Sequence, residues 1–386
     1  MPNSSSDTPS SSAPTATGPK PAAASHPRLL SLDALRGFDM FWIVGAEEIV
    51  HAMHKVNHSS AVNLLTNQLT HKDWVGVGFY DLIFPLFVFI VGVSLVFSLT
   101  RILETHGRAT AYRRVITRGA ILYVIGLFYY GGFTEGFDHI RLMGVLQRIG
   151  LCYLFTGLLF CTFRLKGLIV ACASLLIGYC LLMTLVPVPG YGAGVFVEGQ
   201  NLANYIDKEY LPFFKWDGDH DPEGLLSTLP AIGTCLLGVF TGLFLRNSPL
   251  SQQKKAAFLF GAGVCSVLLG FLWGLQFPII KKIWTSSYVL VAGGYSCIFL
   301  AVFYQVIEIW GFRKWATPFV WIGLNPLTIY LIHNMVDLKM LANRLVGGPI
   351  KAGFGDYVDV LVMTVITAMS FAVVHFLYRR KIFLRL

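Results

Sequence analysis

Residues 82–99 read LIFPLFVFIVGVSLVFSL, eighteen consecutive positions without a charged side chain. A run of this length and character reads as a helix that crosses a bilayer, whose apolar core takes about 20 residues. The stretch is not isolated. Apolar segments recur near 29–52, 78–101, 111–130, 143–163, 167–187, 224–245, 256–277, 284–309, 315–337 and 358–379. The sequence therefore predicts an all-α, polytopic membrane bundle of about ten transmembrane helices over residues 28–386. Composition agrees: 55% of residues are apolar, 14% aromatic and only 13% charged, with a mean hydropathy of +0.62. A soluble domain carries about 25% charged residues, so this chain cannot coat a water-facing surface of its size.

Residues 1–27 differ. They are rich in Ser, Pro, Ala and Thr, bury too little to offset ordering, and are expected to form a disordered tail. No small-residue cleavage site follows Arg28, which argues against a signal peptide. The seven cysteines all fall in apolar stretches without a Cys-x-x-Cys pair, the pattern of packing thiols. No metal site is expected.

The net charge of +9 would suggest nucleic acid in a soluble chain. Here the basic residues sit in short loops and set topology instead. Arg101, Arg108, Arg113, Arg114, Arg118, Arg164, Lys166, Arg246, Lys254, Lys255, Arg313 and Lys314 share one side with the basic residues of both tails. The positive-inside bias places both termini in the cytoplasm. The opposite face then carries the two longest connections, about 53–77 and 188–223. Long polar connections tend to carry function, so the acceptor is expected at this outer face.

Polar residues inside the spans are the next signal, because a charge at mid-membrane costs about 2.5–3.5 kcal/mol on insertion scales. The first span holds Asp33, Arg36, Asp39, Glu47 and Glu48, with His51 and His54 at its outer end. Treated as one continuous helix, Asp33, Arg36, Gly37, Glu47, Glu48, His51 and His54 share an arc of roughly 120° that faces the bundle. Asp33 and Arg36, three apart, suit an ion pair near the cytoplasmic boundary. Glu47 and Glu48, with no basic residue one turn away, suit a site wall. His71 stands at the mouth of the second span and Asp81 in its first turn, where a carboxylate also satisfies free N–H groups. Gln147 and Arg148 open the fourth span, and Arg148 calls for a carboxylate or an anionic ligand. Asp221-Pro222-Glu223-Gly224 opens the sixth. Lys281, Trp284, Ser287 and Tyr288 lead into the eighth, and Asn325, Tyr330 and His333 lie in the ninth. Together they describe a polar chamber in the outer half of the bundle.

These residues resemble the heparan-α-glucosaminide N-acetyltransferase family. The resemblance rests on six blocks in order: Arg28-x-x-Ser31-Leu32-Asp33-Ala34-Leu35-Arg36-Gly37; His71-x-x-Trp74 with Asp81-Leu82-Ile83-Phe84-Pro85-x-Phe87-Val88-Phe89-Ile90-x-Gly92; Gly144-Val145-Leu146-Gln147-Arg148; Asp221-Pro222-Glu223-Gly224; Lys281-x-x-Trp284-x-x-Ser287-Tyr288-Val289; and Asn325, Tyr330, His333. It implies transfer of an acetyl group from cytosolic acetyl-CoA to the amino group of a terminal glucosamine across the membrane. The family's active-site histidine matches His71. Its functional asparagine in the first span is replaced by Glu47. A carboxylate there pairs with an ammonium or orients His71, whereas an amide suits an acyl oxygen.

The catalytic set expected on this basis is His71, Glu47 and Asp81. Substrate contacts are expected from Asp33, Arg36, Glu48, Trp74, Gln147, Arg148, Asp221, Glu223, Lys281, Trp284, Ser287, Tyr288, Asn325 and His333. An imidazole of ordinary pKa, near 6.5, can take the amine proton at neutral pH. It can also attack the thioester and carry the acetyl group as acetyl-imidazole. Basic residues on the cytoplasmic side, with Arg148, are expected to attract the coenzyme A phosphates. A bacterial inner membrane and a homodimer are further expectations. The alternative from a different class is a proton-coupled transporter of amino sugars. Ten spans and buried titratable groups suit one, but residues 29–187 and 224–379 show no internal repeat of the kind transporters carry. A non-enzymatic scaffold would leave the intramembrane charges without a purpose.

Overall fold

The computed structural model describes residues 29–132, 134 and 136–384, so the expected N-terminal tail lies outside the described residues. The chain is all-helical, with no strand among the described residues. In order the helices are α1 (Leu30–Phe41), α2 (Glu47–Val56), α3 (Ser60–Leu69), α4 (Ile83–Thr105), α5 (Gly107–Tyr129), α6 (Val145–Thr162), α7 (Leu165–Leu185) and α8 (Leu202–Tyr210). They continue as α9 (Thr228–Asn247), α10 (Gln252–Gly274), α11 (Ser286–Tyr304), α12 (Thr317–Leu324), α13 (Pro326–Met335), α14 (Leu338–Leu345), α15 (Gly348–Phe354) and α16 (Val358–Arg379).

Among the described residues, seven helical stretches are long and apolar enough to cross a membrane: α4, α6, α7, α9, α10, α11 and α16 with its lead-in. The chain is an integral membrane protein. The other three expected spans depart for separate reasons. The first is not one helix. A π-helical segment, Trp42–Ala46, separates α1 from α2, and Gly45 there adopts φ 142°. That backbone is open to glycine, and a side chain at 45 would also collide with Thr367 of α16. The break rotates α2 relative to α1, so the single arc expected from Asp33 to His54 is not formed. The second departure is α5, whose first half carries Arg108, Arg113, Arg114 and Arg118. The third is the ninth span, which splits into α12 and α13 at Asn325 (φ −131°, ψ 45°), where Pro326 disfavours helical backbone in the residue before it.

The two long connections also contain helix. Residues 53–77 include the end of α2 and all of α3, and 188–223 includes α8. The Asn201 side chain caps α8 by accepting from the Asn204 N–H at 3.0 Å.

α4 lies at the centre, packed against α9, α6, α5, α11 and α1. Its apolar residues are enclosed by protein, whereas α7 and α10 turn Leu181, Leu185, Leu268 and Leu272 outward, as lipid-facing helices do. Glycines set the closest crossings, because small residues let membrane helices approach. A Cβ on Gly92 of α4 would collide with the Cys235 carbonyl of α9, and one on Gly238 with the Phe89 carbonyl. Gly37 of α1 and Gly323 of α12 meet in the same way. Gly92→Ala is therefore expected to cost about 1–3 kcal/mol through overpacking. The check is the melting temperature of the purified variant in detergent. An unchanged value would contradict this account of the α4–α9 contact.

Candidate active site

His71 lies in the extended link between α3 and α4. Residues 75 and 76 of this link pair with the loop before α11: Val75 bridges Ile280, and the Gly76 N–H donates to the Ile279 carbonyl at 2.9 Å. That pairing carries Lys281 to the imidazole. The loop is held by its own hydroxyls. Ile280 N–H donates to Thr285 Oγ1 at 3.1 Å, and Ser287 Oγ donates to the Phe277 carbonyl at 2.6 Å. Trp284 takes a left-handed φ of 52° and donates from Nε1 to Thr234 Oγ1 at 3.0 Å. Ser287 and Trp284 thus shape the loop that presents Lys281.

At the centre, His71 Nδ1 and Asp81 Oδ1 are 2.8 Å apart. Asp81 is fully buried, and its Oδ2 accepts from the N–H groups of Gly78 (2.9 Å) and Lys72 (3.3 Å). Lys281 Nζ lies 3.4 Å from Asp81 Oδ1 and 2.9 and 3.2 Å from the two ring nitrogens. Burial pushes the Lys281 ammonium below its ordinary range, opposed by Asp81 and Glu223. Tyr288 Oη donates to the Asp81 carbonyl at 2.6 Å from within the core. An ionised Asp81 favours the tautomer with the proton on Nδ1, which leaves a lone pair on Nε2. Here that lone pair faces the Lys281 ammonium at 3.2 Å, and once the ammonium turns to a substrate oxygen Nε2 can take a proton or attack a carbonyl. Tyr288→Phe removes one buried hydrogen bond and should cost about 1 kcal/mol of stability. Denaturant titration checks this, and a variant as stable as the parent would contradict it.

Glu47 reaches this cluster through Tyr80, whose ring centroid is 4.7 Å from that of His71 and whose hydroxyl lies against the Glu47 carboxylate. Glu47 also meets His51 at 3.4 Å, one turn on, so it does have the basic neighbour that the sequence reading missed. Glu48 is exposed and lines neither cavity described below.

A second cluster stands beside the first. Arg141 binds Asp221 through two hydrogen bonds (2.8 and 2.7 Å) and Glu223 through a third (2.7 Å). Burial works against the Arg141 charge, but the two carboxylates overcome it and hold the guanidinium above its ordinary value. Its faces pack on Tyr130 and Trp216. Gln147 positions Arg141 by donating to its carbonyl at 3.0 Å. Arg148, expected to meet a carboxylate or an anion, is instead wholly enclosed. It donates to the carbonyls of Pro222 and Gly224 and to Ser227 Oγ, with Trp284 beneath its plane. These oxygens take its two terminal nitrogens, while Nε has no hydrogen-bond partner, and the side chain lines neither cavity.

Two cavities meet at His71. The outer one, about 850 Å³, is walled by Tyr130, Arg141, Trp216, Trp284 and Tyr330, among others. The inner one, about 640 Å³, follows α4 from Ile83 to Ser98, about 22 Å of helix, and ends among Arg36, Arg114 and Arg118. His71, Glu223, Lys281, Val145 and Tyr330 border both. Arg36 donates to Ser94 Oγ (2.6 Å), to the Gly323 carbonyl (3.1 Å) and to Asp33 (3.3 Å), the expected ion pair.

The remaining expected contacts lie elsewhere. Trp74 Nε1 donates to the Phe196 carbonyl at 2.7 Å and pins the outer connection. Asn325 turns from the site and ties down the C-terminal segment, donating to the Ile382 carbonyl and accepting from Leu384 N–H, both at 3.1 Å. His333 borders neither cavity. Conversely, the sequence reading did not single out Arg141, Tyr80 or Tyr130. The acidic partners of Arg141 lie 80 and 82 residues away, and no local pattern joins them.

The family model described as heparan-alpha-glucosaminide N-acetyltransferase, catalytic, matches residues 28–271. The human protein named heparan-alpha-glucosaminide N-acetyltransferase is 27% identical over 431 residues, covering 94% of this chain and 60% of its own length. The mouse protein of the same name is 25% identical over 378 residues, covering 81% of this chain and 56% of its own length. This chain thus spans a little under two thirds of the relatives it matches. The matched region holds His71, Asp81, Arg141 and Glu223, so on the extent of the family match the chain belongs to the heparan-α-glucosaminide N-acetyltransferase family.

Proposed function

We propose that the protein is a membrane acetyltransferase that takes the acetyl group of cytosolic acetyl-CoA and delivers it to the amino group of a glucosamine-type sugar on the opposite face. The observation that carries this reading is the meeting of two cavities at His71, one running along α4 to a cluster of arginines and the other walled by Tyr130, Trp216 and Trp284. The inner cavity follows α4 between mostly apolar side chains, and its far end is basic. A pantetheine arm fits such a passage, and Arg36, Arg114 and Arg118 supply charge for the coenzyme A phosphates. The outer cavity has aromatic walls, which suit the faces of a pyranose ring, and one buried carboxylate, Glu223, which suits an amine.

In this account His71 Nε2 takes the proton of the amine as it bonds to the thioester carbon, Asp81 stabilises the imidazolium that results, and Lys281 offers positive charge to the oxyanion; collapse then breaks the C–S bond, and the coenzyme A thiolate leaves with the imidazolium proton. Glu223, bordering both cavities, receives the amine. On the positive-inside bias we take both termini to be cytoplasmic in a bacterial inner membrane, which would turn the outer cavity towards the periplasm. A homodimer is consistent with the family and is not needed for this chemistry.

Release of free coenzyme A from acetyl-CoA by the purified protein tests the proposal. It should depend on added glucosamine. Release of one equivalent without acceptor would move the mechanism to acetyl-imidazole. No release with any amine, together with glucosamine uptake into liposomes, would replace the enzyme with the transporter.

A further inference from the structure

Outside the acetyl-transfer site, the outer connection gathers a second set of side chains with a different geometry. Glu198, Asp217 and His220 turn one ligand atom each towards a common point, all within 4.8 Å of one another. His220 is 5% exposed, and its Nε2 has no hydrogen-bond partner although it faces Glu198 Oε1 at 3.7 Å and Asp217 Oδ2 at 3.9 Å. Its other nitrogen, Nδ1, is 2.8 Å from Asp219 Oδ1. A carboxylate on Nδ1 keeps the proton there and turns the Nε2 lone pair outward, the arrangement that orients metal-binding histidines. A lone pair facing two carboxylate oxygens is repulsive unless a proton or a metal cation stands between them. Here Lys282 Nζ holds the carboxylates together, 2.7 Å from Glu198 Oε1 and 3.1 Å from Asp217 Oδ2.

We infer that Glu198, Asp217 and His220 form a binding site for one zinc-class divalent cation, with Asp219 as the support of the histidine and Lys282 as the ammonium that the metal displaces. The donor set of one imidazole and two carboxylates suits zinc, with water as a fourth ligand. Tetrahedral bonds of about 2.0 Å put ligand atoms about 3.3 Å apart, so the 3.7 and 3.9 Å separations need to close by only a few tenths of an ångström. A lysine on a flexible four-carbon stem can leave, and the two carboxylates, within 4.8 Å of each other, can then close on the metal. Displacement has a consequence next door, because Lys282 adjoins Lys281, and both Asp217 and Lys282 wall the outer cavity. A bound metal would fasten the 188–223 connection without Lys282 and free that side chain at the cavity mouth. The inference stands independently of the acetyl-transfer reading.

The test uses the full chain, stripped of metal in detergent and titrated with zinc alone, with bound metal counted by elemental analysis after dialysis. The wild type is expected to hold one equivalent that His220→Ala lacks. Asp219→Asn, which leaves all three ligands in place, should weaken that equivalent about 10–100-fold. Lys282→Met should tighten it by removing the competing ammonium. Comparison with His220→Ala removes zinc taken up elsewhere, for example by His54 and His58. Equal zinc content in wild type and His220→Ala, affinity unchanged in Asp219→Asn, or weaker binding in Lys282→Met would each overturn the site. The last result would make Lys282 the permanent cation.

Discussion

His71→Ala is expected to lower acetyl transfer by about 10²–10⁴-fold, the usual contribution of a positioned general base. The loss should fall on kcat, with KM for acetyl-CoA little changed, because the imidazole stands where the two cavities meet and the basic inner end lies about four turns of α4 away. Asp81→Asn separates the roles further. It leaves a side chain of the same shape beside Nδ1, but an amide neither fixes the productive tautomer nor stabilises an imidazolium. It should therefore approach the alanine variant in kcat without loss of fold. A His71→Ala enzyme with more than about a tenth of wild-type kcat would remove the histidine from the chemistry.

The largest effect on stability is expected at Arg141. Its guanidinium is 4% exposed and makes three charge-assisted bonds to Asp221 and Glu223. Arg141→Ala leaves two carboxylates buried without their counter-ion, a change that costs about 3–5 kcal/mol. Arg141→Lys should be only a partial rescue, since an ammonium cannot reproduce the paired bonds to Asp221. The triple variant Arg141→Met, Asp221→Asn, Glu223→Gln should recover much of the loss, because no unpaired charge remains. Melting temperatures in one detergent check the series. An Arg141→Ala protein as stable as the wild type would show that the cluster is solvated rather than buried.

The central helix was readable because a run without charge over residues 82–99 admits few alternatives. The same periodic argument failed over residues 29–54. It assumes an uninterrupted helix, and Gly45 carries no local mark of its φ of 142°. Glu47 and Glu48 shared a face on paper, yet one meets Tyr80 and the other points away. Asp81 was legible as a carboxylate near an imidazole, whereas Lys281 reaches His71 only through a pairing of residues 75–76 with 279–280 that hydropathy does not encode. Arg148 drew attention as a charge in an apolar run, and its carbonyl partners could not be foreseen because any folded segment can supply them. Arg141, in a loop, drew none.

The most direct measurement of the account is the sidedness of transfer. Protein reconstituted in liposomes receives labelled acetyl-CoA on the face that carries the termini, with glucosamine only on the other. The account predicts labelled N-acetylglucosamine in the glucosamine compartment, free coenzyme A in the other, and neither with His71→Ala. Product formed only when both substrates share one compartment would contradict passage of the acetyl group between the two cavities.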